Sequence, residues 1–119
     1  WRISILNSGN IGHNTTWDGN IALYTDITLY ANLTIAPGTN VKFMNHYGID
    51  AKRDLFAEGT QYDSIHFFAN DPEIGWKGIR ANWRVRLKYC SIENGNAVTG
   101  DDFAGFGGAV YLQQEATLV

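Results

Sequence analysis

The chain has 119 residues, a formal net charge of -3, 45% hydrophobic and 18% charged residues, and one cysteine. Those figures describe a globular chain with one core, and exclude a disordered chain, a disulfide within the chain and any apolar run near the roughly 20 residues of a membrane span. Mild acidity gives no pull toward nucleic acid or anionic membrane, and abundant Gly, Asn, Thr, Ile, Tyr and Trp favour a turn-rich β protein.

Residues 1–18 read as an N-terminal end segment, with Trp1 and Trp17 expected to close that end of the core. The chain starts at Trp1 without a Met and shows no secretory signal, so a processed or trimmed product is expected. "NIAL" at 20–23 then opens a pattern repeated by "GIDA" at 48–51, "GIRA" at 78–81 and "AVYL" at 109–112. Ile21, Ile49, Ile79 and Val110 are spaced 28, 30 and 31 apart, and Leu23, Ala51, Ala81 and Leu112 follow two positions later. Alternation at period two puts both sets on one face, with Ala22, Asp50, Arg80 and Tyr111 outward. Ile27, Leu55, Leu87 and Leu118 make a second column, spaced 28, 32 and 31, with Leu29, Ala57 and Tyr89 on the same face. A third, weaker set is Val41 with Phe43 and Ile65 with Phe67. Turn chemistry separates the columns at "APGTN", "AEGTQ", "NDPEIG" and "ENGN".

Two or three short strands per lap of about 30 residues describe a solenoid of three to four laps over residues 19–119, one domain or a fragment of one. An antiparallel sandwich also has many short strands but gives no reason for matched columns. "LTIAPGTNVKF", "LFAEGTQYDSIHFFANDPEIGWKGIRA", "LKYCSIENG" and "GGAVYL" resemble successive laps of right-handed parallel β-helix domains in the pectin-lyase-like superfamily, nearest to repeats of secreted and surface-attached bacterial proteins. The likeness implies an all-β right-handed parallel β-helix and an extracellular or cell-surface place. It does not imply one activity, because that superfamily includes lyases, glycoside hydrolases, adhesins and passive stalks.

Candidate ligand-binding residues lie in "GWKGIRANWRVRLKYCSIENG" at 75–95, which holds five of the nine Lys and Arg residues. Val85, Leu87 and Tyr89 are expected inward, which turns Arg84, Arg86 and Lys88 outward. The register predicts Asp54 beside Arg86 and Asp50 near Arg80. Such a face is either a solvated wall, an acidic-glycan site or, against the net charge and without a recognised motif, a nucleic-acid site. Trp83 is a candidate sugar platform, whereas Trp76, after a Gly, is expected to cover a turn or an end of the core. Cys90 reads as a small buried filler. Two matches to the N-glycosylation pattern, at 14–16 and 32–34, carry little weight in so Asn- and Thr-rich a chain.

Catalytic chemistry has a thin basis. Asp101-Asp102 is the one tight acidic pair, and it sits in a Gly-rich insertion without the Gly-His segment of polygalacturonase-like enzymes. Asp101, Asp102 and Glu93 are the candidate calcium ligands, in a spacing that fits no EF-hand loop. The expected role is a structural, adhesive or carbohydrate-contacting module without turnover. The alternatives are part of a polysaccharide-active enzyme and a fibre subunit stacked end to end through an uncovered C-terminal edge.

Overall fold

The computed structural model describes residues 3–6, 9–81, 84–93, 110–112 and 116–118. They coil into an all-β parallel solenoid of about four turns, with three sheets of five strands each. Sheet A stacks β1 (Ile3–Leu6), β4 (Asn20–Leu23), β7 (Asn40–Phe43), β10 (Ile65–Ala69) and β13 (Cys90–Ile92). Sheet B stacks β2 (Asn10–Ile11), β5 (Ile27–Leu29), β8 (Gly48–Ala51), β11 (Gly78–Ala81) and β14 (Val110–Leu112). Sheet C stacks β3 (Thr15–Trp17), β6 (Leu33–Ile35), β9 (Leu55–Glu58), β12 (Val85–Lys88) and β15 (Ala116–Leu118). Every described pairing is parallel and joins like strands of adjacent laps.

Such short strands cannot bury a face alone, so the core exists only between laps. Alternating side chains point inward and stack: Ile27 on Ile49 on Ile79 in sheet B, and Leu33 on Leu55 on Val85 in sheet C. All six are buried. The expected stacking of Ile49, Ile79 and Val110 is present as backbone register.

Other parts of the expected register are corrected. Ile21 belongs to sheet A, where it pairs with Val41 rather than heading the Ile49 column. Leu55 pairs with Val85, and Leu87 with Ala57 and Leu118, so Leu55 and Leu87 are out of line by one step of the alternation. Such a slip keeps each side chain on its own face, so apolar alternation alone cannot detect it. The weak third column is a full sheet, with Phe67 beside Val41 and Ala69 beside Phe43.

Nor is the lap constant. Sheet A steps from Ile3 to Asn20, then to Asn40, then to His66, so its first three laps lengthen along the chain. The coil averages roughly 22 residues per turn, fewer than the expected lap. In sheet B the step from Ile27 to Ile49 is likewise shorter than the step from Ile49 to Ile79. The corners absorb the difference. Between sheets A and B they run over 24–26, 44–47 and 70–77, whereas between B and C they keep one length, at 12–14, 30–32 and 52–54.

Two aromatics depart from expectation. Trp76 belongs to the longest of those corners, yet it is wholly buried inside the coil. Its ring stacks on Phe43 with centroids 4.2 Å apart, and its Nε1–H donates to the Glu93 carbonyl at 2.5 Å. Inserting an indole fills the space that a larger lap encloses, while that hydrogen bond satisfies its polar edge. Tyr89, expected inward, is 45% exposed. It forms the whole corner between β12 and β13 at φ 50°, so the strand alternation ends at Lys88. Trp17 is buried at the end of β3, stacked on Ile35.

Candidate functional site

The corner from sheet B to sheet C sets the register of everything on sheet C. Asn14 Oδ1 accepts the Asn32 backbone N–H at 3.0 Å, and Asn32 Oδ1 accepts the Asp54 N–H at 3.2 Å. Asp54 continues the ladder one lap on, taking Arg84 Nη2 at 2.6 Å and Nε at 3.2 Å. Main-chain bonds run alongside, from Thr15 to Asn32, Leu33 to Asp54 and Leu55 to Arg84. Asn suits this place because its amide oxygen reaches a backbone donor that a turn leaves unpaired. Both matches to the glycosylation pattern, Asn14 and Asn32, therefore have a structural role as rungs of one ladder.

With that corner held, the outer faces of two successive laps match in charge. Asp50 stands opposite Arg80, and Glu58 opposite Lys88, in the backbone register. Asp54 takes Arg84, Arg86 Nη1 reaches Glu58 Oε1 at 3.1 Å, and Lys52 Nζ reaches Asp50 Oδ2 at 3.3 Å. Thus Arg84, not Arg86, is the partner of Asp54. The expected outward direction of Arg84, Arg86 and Lys88 stands: all three are exposed. Exposed pairs contribute about 0–1 kcal/mol each. The Asp54 side chain is only 4% exposed, so its two-point bond to Arg84 matters more than the others.

Where that face meets the corner between sheets C and A, it is notched. The outward column of sheet C runs Thr16, Thr34, Phe56, Arg86. Thr34 is short where Phe56 is long, which leaves a groove of about 430 Å³ lined by Thr34, Ala36, Pro37, Phe56, Glu58 and Arg86. Within that lining the Arg86 guanidinium lies 5.9 Å from the Phe56 ring centroid. That contact steadies the ring, and the ion pair to Glu58 fixes the guanidinium in turn. The groove therefore combines an aromatic surface, one acceptor group and one forked donor. Such a set can hold a flat, hydroxyl-bearing ring.

Beyond the groove, Lys88 Nζ sits 6.0 Å from the centroid of the Tyr89 ring. The Tyr89 carbonyl accepts the Ile65 N–H at 3.0 Å. Gly59 is required beside it, because a Cβ there would stand 2.8 Å from the Tyr89 oxygen and 2.9 Å from the Asp63 oxygen. Next in the chain, Cys90 is half-buried and its Sγ–H donates to the Ala57 carbonyl at 3.2 Å. Burial pushes the thiol up to about 11, so it stays protonated and inert rather than nucleophilic.

Of the residues singled out in the sequence, Arg80 lies on sheet B, Arg84 at the corner entering sheet C, and Arg86 and Lys88 on sheet C. Trp83, Asp101 and Asp102 lie outside the described residues. Glu93 is exposed, and its Oε1 accepts the Ser91 hydroxyl at 3.0 Å. Among the described residues no three His, Cys, Asp or Glu side chains group as a metal site. Sequence reasoning missed Glu58, Thr34 and Pro37 as groove residues. The signal was present: Asp50 and Arg80, Asp54 and Arg84, Glu58 and Lys88 all share one sequence spacing. Opposite charges at a constant spacing identify the register that apolar alternation leaves open. The chain matches no known family model, no curated protein and no solved structure.

Proposed function

We propose that the chain is a stiff extracellular or cell-surface β-solenoid that contacts carbohydrate through the outer face of sheet C, without turnover. The observation that carries this reading is the groove beside Phe56, where a ring face, the Glu58 carboxylate and the Arg86 guanidinium converge. Sugars present both apolar C–H faces and hydroxyl edges, and that groove offers a partner to each. Binding without turnover is supported by the ion pairs. Glycoside hydrolysis uses two carboxylates with separate acid and base tasks. Here the carboxylate in the groove, Glu58, is engaged by Arg86, and the nearby Asp54 is engaged by Arg84.

The three parallel sheets per lap favour, as our reading, a coil of the pectin-lyase-like kind, and the general preference of parallel crossovers favours a right hand. The test is retention on immobilised neutral and uronate-rich glycans, with released reducing ends and unsaturated products measured together. Retention of the parent on a glycan, about tenfold weaker for Phe56→Ala, with no product, is the expected result; tenfold corresponds to about 1.4 kcal/mol. Product accumulation would replace the reading with an enzymatic one. Failure to bind every glycan would remove carbohydrate from it.

A further inference from the structure

The groove accounts for one sugar ring and leaves Tyr89 without a task. That residue is unusual in three respects. Its backbone lies in the left-handed region at φ 50°, which a bulky aromatic residue seldom adopts. Its ring is exposed in a corner that it forms alone, where Gly would serve without strain. It also belongs to the same edge of sheet C as the groove, because Lys88, its neighbour, is in register with Glu58. Backbone strain at an exposed aromatic side chain is a sign of function rather than of packing.

We infer that Tyr89 is a second sugar platform and that the ligand is an uncharged glycan chain laid from Phe56 past Glu58 to Tyr89. This rests on the carbohydrate reading above and extends it to a direction, a length and a charge. The strand rise places Tyr89 roughly 10 Å along β12 from the level of Phe56 and one lap, about 5 Å, across. Only an oligosaccharide of several rings bridges that span.

Charge argues for a neutral chain. The groove's cation is already closed onto a carboxylate at 3.1 Å. Lys88 stands beside that same Glu58 in the ladder. A uronate entering the groove would set a second carboxylate against Glu58. A neutral sugar instead finds an acceptor in Glu58 and donors in Arg86 without displacing either.

The experiment measures binding of neutral gluco-, manno- and xylo-oligosaccharides of two and six rings, and of polygalacturonate, to the parent, Phe56→Ala, Tyr89→Gly and Tyr89→Phe. Tyr89→Gly removes the ring while suiting the backbone, so the fold survives, and thermal unfolding checks this. Tyr89→Phe keeps the ring. The expected result is a neutral six-ring ligand bound about tenfold more weakly by Tyr89→Gly, and as well as by the parent in Tyr89→Phe. Two-ring binding should drop in Phe56→Ala alone. A Tyr89→Gly variant that binds six rings like the parent, while Phe56→Ala fails, would overturn the second platform and leave the groove reading intact. Tighter binding of polygalacturonate than of any neutral chain would overturn the uncharged ligand. Loss in neither aromatic variant, or no binding at all, would remove the carbohydrate reading and this inference with it.

Discussion

The two corners that border sheet C behave in opposite ways. The one entering it keeps a single length at 12–14, 30–32 and 52–54, and its Asn14, Asn32 and Asp54 side chains bond from lap to lap. The one leaving it changes length at every lap, running over 18–19, 36–39, 59–64 and then Tyr89 alone. Asn side chains that reach the next lap's N–H tie the constant corner together from lap to lap. In the variable corner main-chain bonds, as from Gly38 to Asp63 and Gly59 to Lys88, persist while the insertions bulge outward. The constant corner holds the register, and the variable one shapes the surface, contributing Pro37 to the groove and exposing Tyr89. Solenoids characteristically gather their insertions on one face, where binding occurs.

Moving one insertion between the corners should break this contrast most sharply. A Gly inserted after Arg53 should cost several kcal/mol, because it puts Leu55 and all later strands out of step with the ladder. The same Gly after Tyr62, in an exposed loop, should cost less than about 1 kcal/mol. Urea unfolding of both proteins tests it, and equal losses would mean that the two corners do not differ.

A smaller effect is expected at Asn32. Replacing it by Ala leaves the Asp54 N–H without its acceptor and should cost about 1–2 kcal/mol, whereas Asn14→Ala, nearer solvent, should cost about half as much. A loss at Asn14 exceeding that at Asn32 would count against a ladder that tightens toward the centre.

Arg84→Gln and Arg86→Gln divide the charged face in the same way. The first exposes the nearly buried Asp54 carboxylate to a neutral neighbour and should cost about 1–2 kcal/mol. The second breaks a pair whose members are both about half exposed, for less than about 1 kcal/mol. Added salt should narrow the gap little, since the Asp54 pair is poorly screened.

A further effect is alkaline. The folded Cys90 thiol is raised from 9.0 to about 11, so the native state holds that proton more tightly than the unfolded chain. Its contribution is complete below about pH 9 and is lost as pH climbs through about 11. Cys90→Ala should unfold with a flatter dependence over that range, read from thermal midpoints at stepped pH.

Much of this is legible in the sequence. Ile49, Ile79 and Val110 announce one column, and the alternation of Arg84, Val85, Arg86, Leu87 and Lys88 announces which side chains face out. Their partners are harder to assign. Apolar spacing sets Asp54 beside Arg86, because a slightly longer lap aligns the apolar positions of sheet C as well as the true one does. Trp76 resembles a turn cover because nothing local shows that Phe43, more than a lap earlier in the chain, lies 4.2 Å from its ring. Tyr89 resembles a core residue because it continues the alternation past the point where the strand stops.

By itself the sequence determined that these strands are short, two-faced and repeated, since alternation and turn residues act over a few neighbouring positions. Only the coiled chain decided which strand lies on which. Shifts by one full alternation bury the same faces, so the choice falls to contacts between laps: the Asn ladder, the paired charges, and the corner lengths that let Trp76 enter the core. Those contacts join residues a lap or more apart in the chain, and contacts of that range also made the groove.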